Sequence, residues 1–540
     1  MYNIVRLEDL SIGVIMKKII LTVFAAILAS SPVFAAAWMN DLKDVFVTNK
    51  AIILEVNIRT FNAQDKNGND IIEADKGEVS GNFVNAISRL DELKDSGINT
   101  IHLLPITPVG KIKAIGTAGS LYAISSFTEL NPQLDDPNNN LTVMQEAKQF
   151  VNECHKRNIR VIVDLPSCGS YDMYLAHPNW FLQDKDGNPV VPADWTDVRL
   201  FKVQNPDGSL NSEVYGLFRD YVDMVMKLNV DGIRADVASS KPAEFWSQLI
   251  KYAKAKDPQF LFLAEASDSW HDAVAKGAPF TPYDKLLEAG FDGFYGSFMN
   301  YKDWKTAQPL EEHIQLIKSL KNKYSEPKAV IGSFATHDEL SPIVTGRDAY
   351  ATQLLWLQST LPVNSYFVDG FQTGDNFMYK YANQKAQKTY TDDDYYYVHK
   401  GKTDIFNFSR KPGGQNELLK DEFVMANNFK LAANRFLNDG ALCFLKTSNP
   451  SIIAYSLTLN RSTIIVILNK NLTFNTAGTV SMKGIGPDMM VVPVRVPSSP
   501  KIKKNEIQVD LPPAGIIVLT MDNSVHMDTI KKKNQNKSAK

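Results

Sequence analysis

The sequence predicts an α/β protein: a (β/α)8 TIM barrel with a subdomain inserted after strand three and a C-terminal all-β sandwich. From about residue 50 to residue 368, eight apolar segments with strand character alternate with amphipathic segments of helical period. Repeated βα units imply a parallel sheet buried on both faces. About fifty residues separate Asp164 from the next helical segment, and so long a connection is usually functional. Beyond residue 436 short strands follow one another, which is typical of a sandwich.

Each predicted barrel strand is a short run rich in branched or aromatic apolar residues. In chain order, these strands are 51–58, 100–104, 159–164, 232–235, 260–264, 291–296, 329–334 and 364–368. The helical segments repeat apolar residues every three or four positions, as Val84, Ile87 and Leu90 do. The predicted helices are 84–94, 141–157, 214–228, 242–254, 310–321, 348–360 and 418–436. The sandwich strands are predicted at 441–445, 452–457, 463–468, 479–482, 489–496, 506–510 and 515–521.

These elements divide the chain into domains. We expect a catalytic barrel at 45–436, with the inserted subdomain at 165–213. The sandwich is expected at 437–522, and the polar, basic residues 523–540 are expected to form a disordered tail.

Residues 1–37 are predicted to be an N-terminal extension followed by a secretory signal peptide. Met16 and two lysines precede an apolar run from Ile19 to Leu28, and small residues follow it, which is the pattern of a cleaved leader. The run is too short to span a bilayer comfortably. We therefore expect the mature chain in the periplasm or outside the cell, with no stable membrane span. An uncleaved membrane anchor is the alternative.

Composition narrows the functional classes. A formal net charge of −2 over 540 residues gives no support for a nucleic-acid partner, which favours a basic face. Aromatic residues make up 10% of the chain, which fits carbohydrate stacking and equally fits a large core. Cys154, Cys168 and Cys443 have no metal-binding spacing. We expect free buried thiols, with one disulfide as the alternative; the oligomeric state is not predicted.

The segment Gly232–Asp236 closes a predicted strand with a charged pair. Arg234 and Asp236 are two positions apart, so on a strand their side chains point the same way. A cation beside a carboxylate keeps that carboxylate ionised, which suits a nucleophile rather than an acid. A surface ion pair at a strand end is the alternative for such a motif on its own.

Other predicted strands end on titratable residues as well. Asp164 closes strand three, Glu265 follows strand five, and His337 and Asp338 follow strand seven. Barrel active sites lie at the C-terminal ends of the strands, so these groups are expected to converge with Asp236. Carboxylates held close together cannot all ionise, and their pKa values split. One ionised and one protonated carboxyl are what glycoside hydrolysis requires.

The ordered set of strand ends resembles the α-amylase family, family 13 of the glycoside hydrolases, from about residue 51 to residue 521. The resemblance implies that Asp236 is the nucleophile and Glu265 the acid/base. It also implies that His337 and Asp338 bind the sugar in the cleavage subsite, and that Asp164 matches the strand-three motif. Tyr122, in a segment that resembles the family's stacking position, would lie under that sugar, and Arg234 would hold Asp236 ionised.

The implied reaction is double displacement with retention at an α-glucosidic carbon. Asp236 attacks the anomeric carbon while Glu265 protonates the leaving oxygen, and Glu265 then deprotonates the incoming hydroxyl. The expected substrate is an α-glucan or malto-oligosaccharide. Asp338 is the third catalytic carboxylate of this prediction, because its hydrogen bonds to the sugar would strengthen in the transition state.

The sequence departs from the family at the edges of the site. Cys168 and Gly169 stand where the strand-three motif usually has an Asn and a His. That Asn is commonly a calcium ligand, so the family's usual calcium site is in doubt. Ser239 and Ser240 stand where a Lys-His pair is frequent, and Thr336 replaces an Asn before His337.

A second candidate metal site follows the first strand. Asp65, Asn67, Asn69 and Glu73 place oxygen-bearing side chains at alternate positions, and calcium takes such oxygen clusters. The loop resembles the metal loop of oligo-1,6-glucosidase-like members of the family, in which Ile71 would supply a backbone carbonyl. A plain Asn/Gly turn is the alternative, and no organic cofactor is expected.

The primary functional hypothesis is a secreted α-glucan hydrolase. A transglycosylase on the same scaffold is the first alternative, because residues 235–246 also resemble family members that transfer maltosyl groups from a phosphorylated donor. A non-catalytic glucan-binding protein and an unrelated barrel enzyme are the others. Trp180 and Trp195, in the inserted subdomain, either line sugar subsites or pack inside it.

Overall fold

The computed structural model describes residues 38–64, 66–67, 72–114, 120–192, 197–267, 279–376, 416–494 and 500–525. Within them, eight parallel strands form a closed barrel, which confirms the predicted fold class. In chain order the barrel strands are β1 Ile52–Val56, β2 Thr100–Leu103, β3 Arg160–Leu165, β6 Gly232–Ala235, β7 Leu261–Ala264, β8 Gly293–Tyr295, β9 Ala329–Gly332 and β10 Asn364–Val368. Two further strands, β4 Cys168–Ser170 and β5 Val198–Leu200, interrupt this series. The barrel closes where β1 pairs with β10.

Helices cover the outside of the barrel. Those of the described residues are α1 Leu42–Val47, α2 Ile58–Phe61, α3 Phe83–Ala86, α4 Leu90–Asp95, α5 Val143–Lys156, α6 Tyr171–Ala176, α7 Ser212–Lys227, α8 Ala243–Lys254, α9 Tyr283–Ala289, α10 Gln308–Asn322, α11 Pro342–Thr360, α12 Glu417–Ala432 and α13 Asn434–Asp439. Polar caps start two of the long ones: Thr142 forms a capping box with Gln145, and the Asn211 side chain accepts two backbone N–H groups.

Several helix predictions need correction. The segment predicted as one helix at 84–94 is broken by a 3-10 turn at Ile87–Arg89. The last predicted barrel helix, 418–436, is divided between α12 and α13. Helix α9 was not predicted, because its seven residues are too few for a clear helical period. The short helices α1, α2 and α6 were not predicted either.

Helix α1 closes the N-terminal end of the barrel interior. Leu42 and Phe46 are fully buried and belong to the same apolar cluster as inward-facing residues of the strands. A Cβ on Gly232, in β6, would lie 2.9 Å from Leu42 Cδ2 and 2.9 Å from the Leu261 carbonyl oxygen. Only glycine fits there, so the first residue of the Gly232–Asp236 motif serves packing rather than chemistry.

The long connection after β3 forms a small subdomain, as expected. Its strands β4 and β5 pair antiparallel, and Ile124 forms an isolated bridge with Gly169. Phe181 and Phe201 stack with ring centroids 4.7 Å apart. A Cβ at Gly169 would meet both rings at 2.9 Å. At the position where the resemblance expects a histidine, the subdomain therefore packs aromatic rings against bare backbone.

The C-terminal strands form two antiparallel sheets. They are β11 Ala441–Phe444, β12 Lys446–Thr447, β13 Ile452–Leu459, β14 Ser462–Asn469, β15 Thr476–Ser481, β16 Met490–Val492, β17 Lys501–Lys503, β18 Glu506–Leu511 and β19 Ile516–Thr520. One sheet has the order β11-β13-β14-β19-β16 and the other β12-β15-β18-β17. The short strands β12 and β17 were not predicted.

The two sheets share an apolar layer, and helix α11 lies against the other side of this domain. Ile465 and Ile517 of one sheet cluster with Ile507 and Val509 of the other. Gln353 of α11 donates to the Asn469 carbonyl at 2.8 Å. Residues from Asn40 onward make one compact unit. The predicted signal peptide at 1–37 and most of the basic tail lie outside the described residues.

Within the part of the chain that the structure describes, no helix has both the length and the apolar character needed to cross a bilayer. The cysteines are free: Cys154 and Cys168 are buried, and Cys443 is exposed rather than buried as expected.

Candidate active site

The predicted site residues lie at the C-terminal ends of neighbouring strands. Asp164 and Arg234 are register partners in β3 and β6. Ala235 of β6 pairs with Ala264 of β7, so the next residues, Asp236 and Glu265, stand side by side. His337 follows β9 by five residues, across a loop. The barrel register, rather than proximity in sequence, brings these groups together.

Arg234 connects the carboxyl groups of three strand ends. It is almost fully buried. Its Nη1 lies 2.7 Å from Asp164 Oδ1 and 3.1 Å from Asp236 Oδ1, while its Nη2 lies 2.6 Å from Glu265 Oε1. One positive charge cannot balance three buried negative charges. Mutual repulsion of the three carboxyls therefore favours a proton on at least one of them.

Glu265 is the carboxyl best suited to carry that proton. Burial raises its pKa to about 8; the Arg234 charge opposes this shift, and the neighbouring Asp236 and Asp338 add to it. Its Oε2 accepts the backbone N–H of Val237 at 2.9 Å. A carboxylic acid held protonated at neutral pH can act as a general acid.

Val237 has a strained backbone that serves this contact. Its φ of 39° and ψ of 53° lie in the left-handed region, which a β-branched residue rarely adopts. The turn aims its N–H at the Glu265 carboxyl, and Ala238 N–H donates to the Glu265 carbonyl at 2.8 Å. Strain of this kind persists where the surrounding structure imposes it, often at functional sites.

Asp236 is held from a second side by a residue that the sequence did not indicate. Its Oδ2 accepts the backbone N–H of Ser167 at 3.1 Å and the Ser167 hydroxyl at 3.0 Å. The Asp236 side chain is 11% exposed. No pattern in the sequence distinguishes Ser167 from other serines, because its contact depends on how the chain turns after β3.

Asp164 lies beneath the other carboxyls. It is fully buried, and burial raises its pKa to about 7 against the opposing charge of Arg234. The Tyr122 hydroxyl donates to Asp164 Oδ2 at 2.7 Å. Asp164 and Arg234 are thus almost completely buried, and their direct contact with a sugar stays a prediction.

His337 is fixed by a buried glutamate on β1. Its Nδ1 lies 2.5 Å from Glu55 Oε1, and its backbone N–H donates to Glu55 Oε2 at 3.2 Å. Burial alone would raise the pKa of Glu55, but the charge and hydrogen bond of His337 outweigh it and lower the pKa to about 2. Burial opposes a charge on His337 too, yet Glu55 raises the His337 pKa to about 10.

Tyr122 and Asp338 stand on either side of this imidazole. The Tyr122 ring stacks on His337 with centroids 5.7 Å apart and planes 15° apart, and its hydroxyl lies 3.1 Å from Nε2. Asp338 Oδ1 lies 3.7 Å from the same nitrogen, and its side chain is 33% exposed. Asp338 is thus the predicted catalytic carboxyl that is most open to a ligand.

Ser167 and Glu55 were not predicted from the sequence. Both form hydrogen bonds with predicted residues, Ser167 with Asp236 and Glu55 with His337. Glu55 had a visible signal, a lone carboxylate inside an apolar strand. His102, on the neighbouring strand β2, is likewise a titratable residue inside an apolar strand. It is buried, and burial lowers its pKa to about 3.

The candidate calcium loop is only partly described. Asp65, Asn69 and Ile71 lie outside the described residues. The Asn67 amide donates to Glu73 Oε2 at 2.8 Å, and Glu73 Oε1 pairs with Lys76 at 2.5 Å. A cation would have to compete with Lys76 for Glu73, so the calcium site stays a prediction. Among the described residues no group of three or more His, Cys, Asp or Glu side chains could hold a metal.

The two tryptophans of the inserted subdomain differ. Trp195 lies outside the described residues. Trp180 stacks on His177 with centroids 3.6 Å apart, and its indole N–H donates to Glu213 at 2.7 Å. Packing within the subdomain therefore accounts for one face and the polar edge of Trp180.

Solved structures match this architecture over most of the chain. The structure aligns with a noncanonic maltogenic α-amylase from Thermotoga neapolitana at a TM-score of 0.62 and 21% identity, covering 88% of this chain and 99% of that one. It aligns with an acarbose-bound α-amylase from Geobacillus thermoleovorans at a TM-score of 0.62 and 17% identity, covering 87% and 98%. The fold is that of the α-amylase family. The resemblance inferred from the strand ends is thereby confirmed.

Curated sequences similar to this chain are named α-1,4-glucan:maltose-1-phosphate maltosyltransferases. One, from Bifidobacterium animalis subsp. lactis, is 29% identical over 253 residues, which are 44% of this chain and 32% of that protein. Another, from Picrophilus torridus, is 25% identical over 411 residues, 72% of this chain and 58% of that protein. The α-amylase-like chain thus spans between a third and three-fifths of the length of these relatives. No family model matches it.

Proposed function

We propose that the protein is a retaining enzyme that cleaves α-glucosidic bonds in α-glucans or malto-oligosaccharides, with Asp236 as the nucleophile and Glu265 as the acid/base. The pairing of Ala235 with Ala264 carries this proposal. Adjacent strands lie about 4.8 Å apart, so the two carboxyls leave the barrel at close to the separation of about 5–5.5 Å that retaining enzymes use. Inverting enzymes place them farther apart to admit a water.

The reaction has two displacements. An Asp236 oxygen attacks the anomeric carbon as the glycosidic C–O bond breaks, and the Glu265 proton moves to the departing oxygen. The product is a glycosyl ester on Asp236. Glu265, now a carboxylate, takes the proton of an acceptor hydroxyl, whose oxygen attacks the anomeric carbon and releases Asp236. Asp338, the open carboxyl next to His337, is placed to accept hydrogen bonds from hydroxyls of the bound sugar.

We further propose transfer to a sugar acceptor rather than hydrolysis as the principal outcome. The names of the curated relatives favour a maltosyl group as the unit transferred. Hydrolysis remains the second candidate, since the two reactions differ only in whether water or a sugar hydroxyl attacks the ester. The names of solved structures with this fold include amylases.

A product analysis tests both candidates. Purified protein is incubated with maltohexaose alone, and with maltohexaose and maltose 1-phosphate, and the sugars are separated by chromatography. Chains lengthened by two glucose units, with release of phosphate, support maltosyl transfer, whereas glucose, maltose and shortened chains support hydrolysis. Asp236→Asn is the control that must abolish either pattern. Absence of turnover on both, together with retained glucan binding by Asp236→Asn, would support a non-catalytic glucan-binding protein instead.

We also propose that the mature chain acts in the periplasm or outside the cell, on the basis of the leader-like residues 16–37. Expression in a bacterial host with and without these residues, followed by fractionation, tests this. Recovery of the full-length chain in the cytoplasm, uncleaved, would contradict it.

A further inference from the structure

Ser167 sits at the corner where the chain leaves β3 for the inserted subdomain. Pro166 precedes it and fixes its own φ, which stiffens this two-residue connection between Leu165 and Cys168. Both donors of Ser167, the N–H at 3.1 Å and the hydroxyl at 3.0 Å, converge on the same oxygen, Oδ2 of Asp236. The other oxygen, Oδ1, is contacted by Arg234.

Lys241 holds the opposite side of Ser167. Its Nζ donates to the Ser167 carbonyl at 3.0 Å and lies 5.1 Å from the centre of the Phe218 ring. The lysine is 2% exposed, and Thr281 donates to its backbone carbonyl at 2.7 Å. The buried ammonium and the fixed backbone of Lys241 together restrain the Ser167 carbonyl. The reaction proposed above does not use Lys241 as an acid or a base.

We propose that Ser167 and Lys241 are positioning residues for the nucleophile: Ser167 orients the Asp236 carboxylate and favours its charged form, and Lys241 holds Ser167 in place. This inference rests on the proposed role of Asp236. Hydrogen bonds donated to a carboxylate favour the ionised state. Two donors on one oxygen also restrict rotation of the carboxyl, so that the attacking lone pair is aimed before the sugar arrives.

Other charged and titratable groups also face Asp236 and must be separated from this effect. These groups lie on or next to the barrel strands and in the inserted subdomain. In chain order they are Tyr122, Asp164, Cys168, Arg234, Lys241 and Glu265. Glu265 is the one whose proton transfer would obscure the pH dependence. A substrate with a leaving group that needs no proton removes this complication.

The test uses α-maltosyl fluoride, whose fluoride leaves unprotonated, so that kcat/KM reports attack by Asp236. We expect Ser167→Ala to lower kcat/KM by about tenfold to a hundredfold, as loss of a hydrogen bond to a charged group does. We expect the acid limb of the pH profile to move to higher pH, with KM changed less than kcat. Lys241→Met should also lower kcat/KM and move the acid limb to higher pH, each by a smaller amount than Ser167→Ala does.

Ser333→Ala is the matched control. Ser333 is buried just after β9, and its hydroxyl has no hydrogen-bond partner among the described residues. It should retain wild-type rate and pH profile, and thermal denaturation of each variant verifies that it is folded. If the wild type is active and Ser167→Ala behaves as Ser333→Ala does, or loses rate without moving the acid limb, the positioning role is overturned while the proposed function stands. If the wild type does not consume α-maltosyl fluoride, the proposed function fails and this inference fails with it.

Discussion

Arg234 sets the protonation pattern of the site. Its guanidinium contacts Asp164, Asp236 and Glu265, which come from three consecutive barrel strands. Because all of these groups are buried, adding or removing one proton alters the charge felt by the others. The proposed division of roles between Asp236 as nucleophile and Glu265 as acid therefore depends on one residue that does not itself react.

The raised pKa of Glu265 gives a pH prediction. An acid with a pKa of about 8 loses its proton as the pH rises through 8, so kcat/KM on malto-oligosaccharides should fall above that pH. The same limb should be absent with α-maltosyl fluoride, which needs no proton donor. An equal fall in kcat/KM above pH 8 on both substrates would show that another group titrates.

Glu265→Gln should lower the oligosaccharide rate by about a hundredfold to ten-thousandfold.

The pair formed by Glu55 and His337 gives a stability prediction. The His337 pKa is raised from 6.5 to about 10, so its contribution is complete below pH 6.5 and is lost as the pH rises through 10. The Glu55 pKa is lowered from 4.5 to about 2, so its contribution is complete above pH 4.5 and is lost as the pH falls through 2. Glu55→Gln should therefore destabilise the protein most between pH 4.5 and 6.5, by about 3–5 kcal/mol.

Urea denaturation at several pH values measures this difference. The double variant Glu55→Gln/His337→Gln is the control, because it leaves no uncompensated charge and should recover part of the loss. A pH-independent difference between wild type and Glu55→Gln would show that the pair is not ionised.

At this scale the sequence identified the residues that end strands and missed those that support them. Asp236, Glu265 and Asp164 could be predicted because each closes an apolar run and a barrel gathers such positions. Ser167 and Lys241 could not, since they contact the site through the turn after β3 and the turn after β6. These turns are irregular backbone whose course no periodicity encodes.

At the scale of elements, the pattern located the strands well and the breaks in helices poorly. The helix predicted to begin at 348 is the second half of α11, which the structure extends to Pro342 across a kink at Gly346 and Arg347. Apolar periodicity reports which face of a segment is buried. It does not report a local change of direction that leaves that face buried.

Substituting Gly232 and Gly216 by alanine distinguishes the effect of close packing on stability from the effect of helix propensity. Gly232→Ala should destabilise by about 1–3 kcal/mol, because its Cβ would lie 2.8 Å from Leu261 Cβ and 2.9 Å from Leu42. Gly216→Ala, on helix α7, meets nothing within 4 Å and should stabilise by about 1 kcal/mol. Chemical denaturation of both variants measures this. Equal effects of the two substitutions would contradict the close packing around Gly232.

The loop after β1 carries the calcium prediction. Calcium should raise the melting temperature of the wild type and a chelator should reverse this, whereas Asp65→Asn should respond less. Asp186→Asn, in an exposed Asp/Gly/Asn turn of the inserted subdomain, is the control and should respond as the wild type does. An identical response of all three proteins, or none, would favour a plain turn.

At the scale of the molecule, alternation of strands and helices was sufficient to predict the barrel, and short strands were sufficient to predict the sandwich. The choice between transfer and hydrolysis was not predictable. It depends on how strongly the site holds an acceptor sugar relative to water, and no repeating pattern in the sequence reports that difference in affinity.

Closure of the barrel has a consequence for how the chain folds. β1 pairs on one side with β2 and on the other with β10, where Ile52 is the register partner of Ser365. The first barrel strand therefore completes its hydrogen bonds only after the last one has formed. Until β10 arrives, β1 and β9 present open hydrogen-bonding edges, and ring closure over so many residues is entropically slow. A nascent chain therefore exposes these edges for longest, which makes barrel closure the step at which aggregation competes with folding.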